Sequence, residues 1–226
     1  PFLQNSGGSE LYFKDINDVN ISEIEKIQTG DVVALIGDFD SASIATLLNL
    51  LSRGAIVVPL TKETKGQHEY FITESCSQYI YEKNKLVKIV STPQVSHPLL
   101  DLLRKKGNPG LILFTTGTTG RPKAILHDFI PFIARYKTPR PPLKAISFLL
   151  FDHIGGINTL LHMLFNLGQI VSIPVRTVNE VAKTIKQFSV ELLPTTPTFL
   201  RMLSIYPDIE NKIGDSLKII SYGTER

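Results

Sequence analysis

The sequence predicts an α/β fold in which parallel-rich sheets are flanked by helices. Three observations carry that expectation: short, near-continuous apolar runs, segments of helical period alternating with them, and Gly- or Pro-marked breaks between the two. A strand buried on both faces reads as unbroken Val, Ile and Leu, and Asp31-Val-Val-Ala-Leu-Ile-Gly37 reads that way. Ser41 to Arg53 has apolar residues at 44, 47, 48 and 51, one face of a helix, and Gly54 supplies its stop. Ala55 to Leu60 is the next strand, then a helix near Lys65 to Ser75 and strands Gln78 to Tyr81 and Lys85 to Val90. Residues 96–106 have a helical pattern, and Gly107-Asn-Pro-Gly110 breaks the chain before a strand at Leu111 to Phe114. Helix Phe129 to Tyr136 and the Pro-rich crossing Pro139-Arg-Pro-Pro142 follow. The alternation then resumes with strand Ala145 to Phe151, helix Ile157 to Leu167, strand Gln169 to Pro174 and helix Asn179 to Phe188. It closes with strand Val190 to Leu193, helix Pro197 to Leu203 and strand Leu217 to Ser221.

With 226 residues, 42% of them hydrophobic, the chain can bury a substantial core. Its 24 basic and 21 acidic residues are interspersed and leave a net charge of +3, with no basic stripe of the kind that nucleic acid requires. A single cysteine, Cys76, excludes an internal disulfide and fits a reducing compartment, where it reads as a small packed side chain. No apolar run approaches the ~20 residues of a membrane span, and no signal peptide opens the chain. These features predict a soluble, cytoplasmic protein. With one cysteine, and with His68, His97, His127 and His162 showing no ligand spacing, there is no zinc pattern.

The most informative run is Leu111-Ile-Leu-Phe-Thr-Thr-Gly-Thr-Thr-Gly-Arg-Pro-Lys123. A buried strand delivers the chain into a loop of four hydroxyls, two glycines and two cations. Gly117 and Gly120 let successive N–H groups turn toward one anion. Thr115, Thr116, Thr118 and Thr119 add O–H donors, and Lys123 adds a mobile charge. That combination is a polyphosphate cradle. It is not the P-loop pattern, which needs Gly directly before Lys and a hydroxyl directly after; Pro122 and Ala124 stand there instead. In parallel sheets ligands sit beyond the carboxyl ends of strands. The Thr-rich loop, Asp152 to Gly156 and Tyr222 to Thr224 all follow expected strands and are the candidates for one binding crevice.

The loop resembles the signature of the adenylate-forming superfamily, roughly [ST]-[ST]-G-[ST]-T-G-x-P-K, which Thr115 to Lys123 satisfies at all nine positions. The likeness runs on. Gly30-Asp-Val-Val-Ala-Leu and Leu50-Leu-Ser-Arg-Gly-Ala-Ile-Val-Val-Pro-Leu60 look like the superfamily's early core. Phe151-Asp-His-Ile-Gly-Gly156 resembles its F-H-x-x-G segment, and Pro194-Thr-Thr-Pro-Thr-Phe-Leu200 its V-P-T-x-x-x-x-L element. The chain is accordingly identified as resembling an incomplete N-terminal large domain of an acyl-CoA synthetase or AMP-dependent ligase. Residues 1–226 would form two α/β lobes with the phosphate loop at 115–123 and without the C-terminal lid.

The resemblance implies ATP-dependent activation of a small carboxylic acid as an acyl-adenylate, followed by thioester formation on CoA or an acyl carrier protein. It implies catalytic roles for Lys123 and His153, phosphate contacts from Thr115, Thr116, Gly117, Thr118, Thr119 and Gly120, and an acyl pocket at His153, Gly155 and Gly156. Arg121 falls at the variable position and is expected in solvent, and Asp152 stands where relatives carry an aromatic or a second His. Ser221-Tyr-Gly-Thr-Glu225 tempts comparison with the Y-G-x-T-E motif, but the residue between Gly and Thr is missing and the segment comes a strand too early. Ser221, Tyr222, Gly223 and Thr224 are therefore expected beside the adenine. Glu225 is then no metal ligand, and the Mg2+ ligand is expected beyond Arg226. The alternative is a non-catalytic nucleotide- or acyl-binding module without lid or metal ligand.

Overall fold

The computed structural model describes residues 1–5, 10–16, 22–89, 97–115 and 120–223. Among them the chain forms, in order, β1 (Leu3–Asn5), β2 (Glu10–Leu11), β3 (Val32–Ile36), α1 (Ser41–Ser52), β4 (Ile56–Leu60), α2 (His68–Glu74), β5 (Tyr79–Glu82) and β6 (Lys85–Lys88). There follow α3 (Pro98–Lys106), β7 (Gly110–Thr115), β8 (Lys123–Asp128), α4 (Phe129–Ile133), β9 (Lys144–Ile146) and α5 (Ile154–Phe165). The last elements are β10 (Gln169–Ser172), α6 (Val178–Phe188), β11 (Leu192–Thr195), α7 (Pro197–Ser204), α8 (Ile209–Ile213) and β12 (Ile219–Tyr222). They divide into two compact units. The first comprises Pro1–Asp15, Tyr136–Leu150 and Ile154–Arg226, the second Ile16–Arg135 and Phe151–His153.

The second unit is built on the sheet β6-β5-β3-β4-β7-β8. Its four inner strands run parallel, while β6 pairs antiparallel with β5 and β8 antiparallel with β7. The apolar runs read from the sequence are these inner strands, and both their faces are covered. Val32, Ala34, Ile56, Val58 and Leu60 pack with Phe71 of α2 and with Leu100 and Leu103 of α3. Val33, Leu35 and Val57 alternate to the opposite face and are fully buried there. The step from β3 to β4 and the step from β4 to β5 run in opposite directions across the sheet, so right-handed crossovers place α1 and α2 on opposite faces. Asp40 caps α1 by accepting from the Ser43 N–H at 2.8 Å, and Ile44, Leu47 and Leu50 turn its apolar face inward.

The first unit carries the sheet β12-β11-β9-β10-β1-β2, parallel except where β2 pairs antiparallel with β1. Its core joins Ile146, Val171 and Leu193 of the strands to Val181 and Ile185 of α6 and to Phe199 and Leu203 of α7. Phe148 and Phe199 meet with ring centroids 4.2 Å apart. Of the described helices, none is long and apolar enough to cross a membrane.

Three differences from the sequence reading have physical causes. The strand expected over Ala145 to Phe151 stops at Ile146, because the Phe148 N–H folds back onto the Ile146 carbonyl at 2.9 Å. The Phe148 carbonyl is in turn taken by the Arg176 guanidinium at 2.6 Å. Asp152 to Gly156 is therefore separated from β9 by a non-strand stretch. The helix expected near Lys65 to Ser75 begins as a 3-10 segment, Lys62–Gln67, before α2. Strand β8 was not expected at all.

Candidate functional site

Strands β7 and β8 form an antiparallel hairpin in which Thr115 pairs with Lys123 and Phe114 with Ala124. The first hydroxyl of the Thr-rich loop and the lysine at its exit thus stand across from each other, and both are exposed. Thr116, Gly117, Thr118 and Thr119 lie outside the described residues. Gly120 has φ of +100°, and a Cβ built on it would meet nothing within 4 Å. The glycine is thus required by its backbone conformation rather than by crowding.

Helix α2 braces both limbs of this hairpin. Phe71 stacks on Phe114 with ring centroids 4.0 Å apart. Tyr70 donates its hydroxyl hydrogen to the Pro122 carbonyl at 2.9 Å, and the Arg121 guanidinium lies 5.9 Å from the Tyr70 ring centroid. Arg121 is otherwise solvated, as expected. A pocket of about 630 Å³ opens beside these residues, with Leu100 and Ile112 on its apolar side and Tyr70, Glu74, Arg121 and Lys123 among its polar groups.

Phe151, Asp152 and His153 belong to the same unit as the hairpin. Phe151 is fully buried and meets Phe39 edge-on, with centroids 5.5 Å apart at 81°. Asp152 Oδ2 accepts from the Thr61 N–H at 3.1 Å, the Thr61 hydroxyl at 2.8 Å and the Thr64 hydroxyl at 2.9 Å. His68 Nε2 donates to the Thr61 carbonyl at 2.8 Å. A carboxylate with three donors is a fixed structural clamp, and it sets the backbone from which His153 projects. Burial pushes the His153 imidazole below its ordinary range, and the adjacent Asp152 charge opposes that shift. His153 is half-buried.

Gly155 and Gly156 open α5 in the first unit. A Cβ on Gly156 would lie 1.9 Å from the Leu150 carbonyl oxygen, so the room left by its missing side chain is filled by backbone. Ile157, Leu160 and Leu161, further along the same helix, are at most 1% exposed and belong to the core. Ser221 and Tyr222 end β12, opposite Pro194 and Thr195 of β11, and Tyr222 is 65% exposed. Gly223 follows in the open, while Thr224 and Glu225 lie outside the described residues. Cys76 is free, packs against the second unit's core, and burial pushes its thiol up. Among the described residues no three His, Cys, Asp or Glu side chains come together as a metal site. The sequence reading missed Tyr70, Thr61 and Thr64, whose roles depend on contacts with residues far along the chain.

Two mostly parallel sheets bearing a Thr- and Gly-rich hairpin with a lysine at its exit define an adenylate-forming class of α/β protein. The chain belongs to the AMP-binding enzyme family, which matches it over residues 24–225. Bacitracin synthase 2 of Bacillus licheniformis is 22% identical over an alignment of 224 residues that covers 88% of this chain and 8% of that protein. The Klebsiella oxytoca NpsA N-terminal subdomain, solved in complex with 3-hydroxybenzoyl-AMSN, superposes with a TM-score of 0.70 at 16% identity over 92% of this chain and 59% of that one. ATP-bound MatB from Rhodopseudomonas palustris gives a TM-score of 0.68 at 16% identity, covering 97% of this chain and 51% of that one. The fold is that of the N-terminal part of such proteins, and the chain spans little more than half the length of these solved relatives.

Proposed function

We propose that the intact protein uses ATP to activate a carboxylic acid and then passes the acyl group to the thiol of CoA or a carrier protein in the cytoplasm. The carboxylate oxygen attacks the α-phosphorus, the bond to the bridging oxygen breaks, and pyrophosphate leaves with that electron pair. The thiol sulfur then attacks the acyl carbon, loses its proton and displaces AMP. Both partners in the first step are anions, so the protein's main task is to orient and neutralise them.

The observation that carries this reading is the hairpin register that sets Thr115 across from Lys123. In this reading the hydroxyls and N–H groups of Thr115 to Gly120 hold the departing phosphates, and the Lys123 ammonium meets the charge that develops on them. Each charge-assisted contact contributes roughly 1.5–3 kcal/mol. Ser221, Tyr222, Gly223 and Thr224 serve the adenine side. His153, neutral at physiological pH because burial disfavours its charged form, serves the acyl group. In this reading Lys123 and the loop donors supply the neutralisation that this chain contributes, and the Mg2+ ligand lies beyond Arg226.

Replacing Lys123 with Ala in the intact protein tests the reading. ATP–pyrophosphate exchange, assayed over a panel of carboxylic acids, should slow by at least tenfold (~1.4 kcal/mol), while the unfolding midpoint stays put because the side chain is exposed. An unchanged exchange rate would remove Lys123 from the chemistry.

A further inference from the structure

We propose that Tyr70 is the positioning residue for Lys123, an inference that rests on the reading of Lys123 as a phosphate contact. The Tyr70 hydroxyl donates to the Pro122 carbonyl at 2.9 Å, and that carbonyl belongs to the peptide whose nitrogen is Lys123's own. A lysine ammonium rides on a flexible four-carbon stem, so its backbone sets where it can reach. Among the described residues strand β8 is the outer strand of its sheet and is paired with β7. The bond from α2 is therefore a second point of fixation on the far limb of the loop.

The two neighbouring aromatics of α2 divide the task. Phe71 is 4% exposed and stacks on Phe114, so the incoming limb is held by core packing. Tyr70 is half-buried, with its ring centroid 6.4 Å from that of Phe114 and 5.9 Å from the Arg121 guanidinium carbon. Its hydroxyl ties the outgoing limb to the same helix by a hydrogen bond. Removing that oxygen leaves the packing of the ring in place and frees the Pro122–Lys123 peptide. Small displacements of a group that acts on a developing charge are costly to rate.

The experiment is a double-mutant cycle in the intact protein, with Tyr70→Phe, Lys123→Ala and the pair read by ATP–pyrophosphate exchange. Tyr70→Phe should lower kcat roughly fivefold to tenfold, with the KM for the acid unchanged and the thermal midpoint nearly so. In the Lys123→Ala background the same substitution should cost nothing further, because the group it positions is gone. Amide hydrogen exchange at Lys123 should speed up in Tyr70→Phe, a readout that needs no turnover. A full rate in Tyr70→Phe, an equal loss in both backgrounds, or unaltered exchange at Lys123 would each overturn the proposal. A normal rate for Lys123→Ala alone would refute the phosphate reading itself, and the positioning role with it.

Discussion

The two units have six-stranded sheets with parallel interiors, yet their edges differ, and the difference bears on where chemistry can be placed. In the second unit both edges are antiparallel, β6 against β5 and β8 against β7. In the first, β12 runs parallel to β11 at one edge, and all four of its residues are exposed. A parallel strand is reached only through a crossover, so its loop delivers one limb to the sheet end. An antiparallel edge brings entry and exit of the same loop back to the same place. That is how Thr115 comes to face Lys123, whereas Ser221 and Tyr222 simply run out from the end of β12.

Three measurements test this contrast. The largest effect belongs to Gly156→Ala, whose Cβ would meet the Leu150 carbonyl oxygen at 1.9 Å and its carbon at 2.7 Å. Backbone cannot swing aside, so urea unfolding should show a loss of more than ~3 kcal/mol. Gly223→Ala, with nothing within 4 Å of the added carbon, should stay within about 0.5 kcal/mol of the parent. Equal losses would mean that the helix start tolerates a shift.

Next comes the clamp of the second unit. Asp152→Ala strands the N–H and hydroxyl of the fully buried Thr61, while the Thr64 hydroxyl keeps the Thr61 carbonyl at 3.0 Å. We expect a loss of about 2–3 kcal/mol and faster amide exchange at Thr61, with Asp152→Asn in between. A loss below ~0.5 kcal/mol would show the clamp to be idle.

The smallest effect is pH-dependent. Burial lowers the imidazoles of His127 and His153 in the second unit and of His162 in the first; Arg135 and Arg140 lower His127 and His162 further. Below about pH 6.5 the unfolded chain takes up protons that the folded one refuses, so stability should fall with pH until the folded values are reached, then level off. His153→Gln should remove part of that slope between about pH 7.5 and 5.5 in denaturant titrations. An unchanged slope would locate the pH dependence in the other two histidines.

Much of this was legible in the sequence because it is local. The inner strands β3, β4 and β7 declare themselves by near-unbroken apolar residues, and the phosphate loop by its Thr, Gly and Pro-Lys order. Strand β8 does not, since Lys123, Ala124 and Ile125 are all exposed at a sheet edge and show no inward alternation. The role of Asp152 was hidden for another reason. Its partner Thr61 lies 91 residues away, and nothing in either local sequence names the other. The turn after β9 is likewise held by Arg176, 28 residues downstream of the Phe148 whose carbonyl it binds.

The hairpin also has a place in time. Thr115 and Lys123 close a span of eight residues, whereas Thr61 and Asp152 close one of 91. The longer closure costs about 2 kcal/mol more chain entropy, and hairpins form on a timescale of roughly 1–10 μs. The frame that presents the lysine is thus among the contacts the chain can make soonest, whereas the segment bearing His153 can lock down only after its distant partners have arrived.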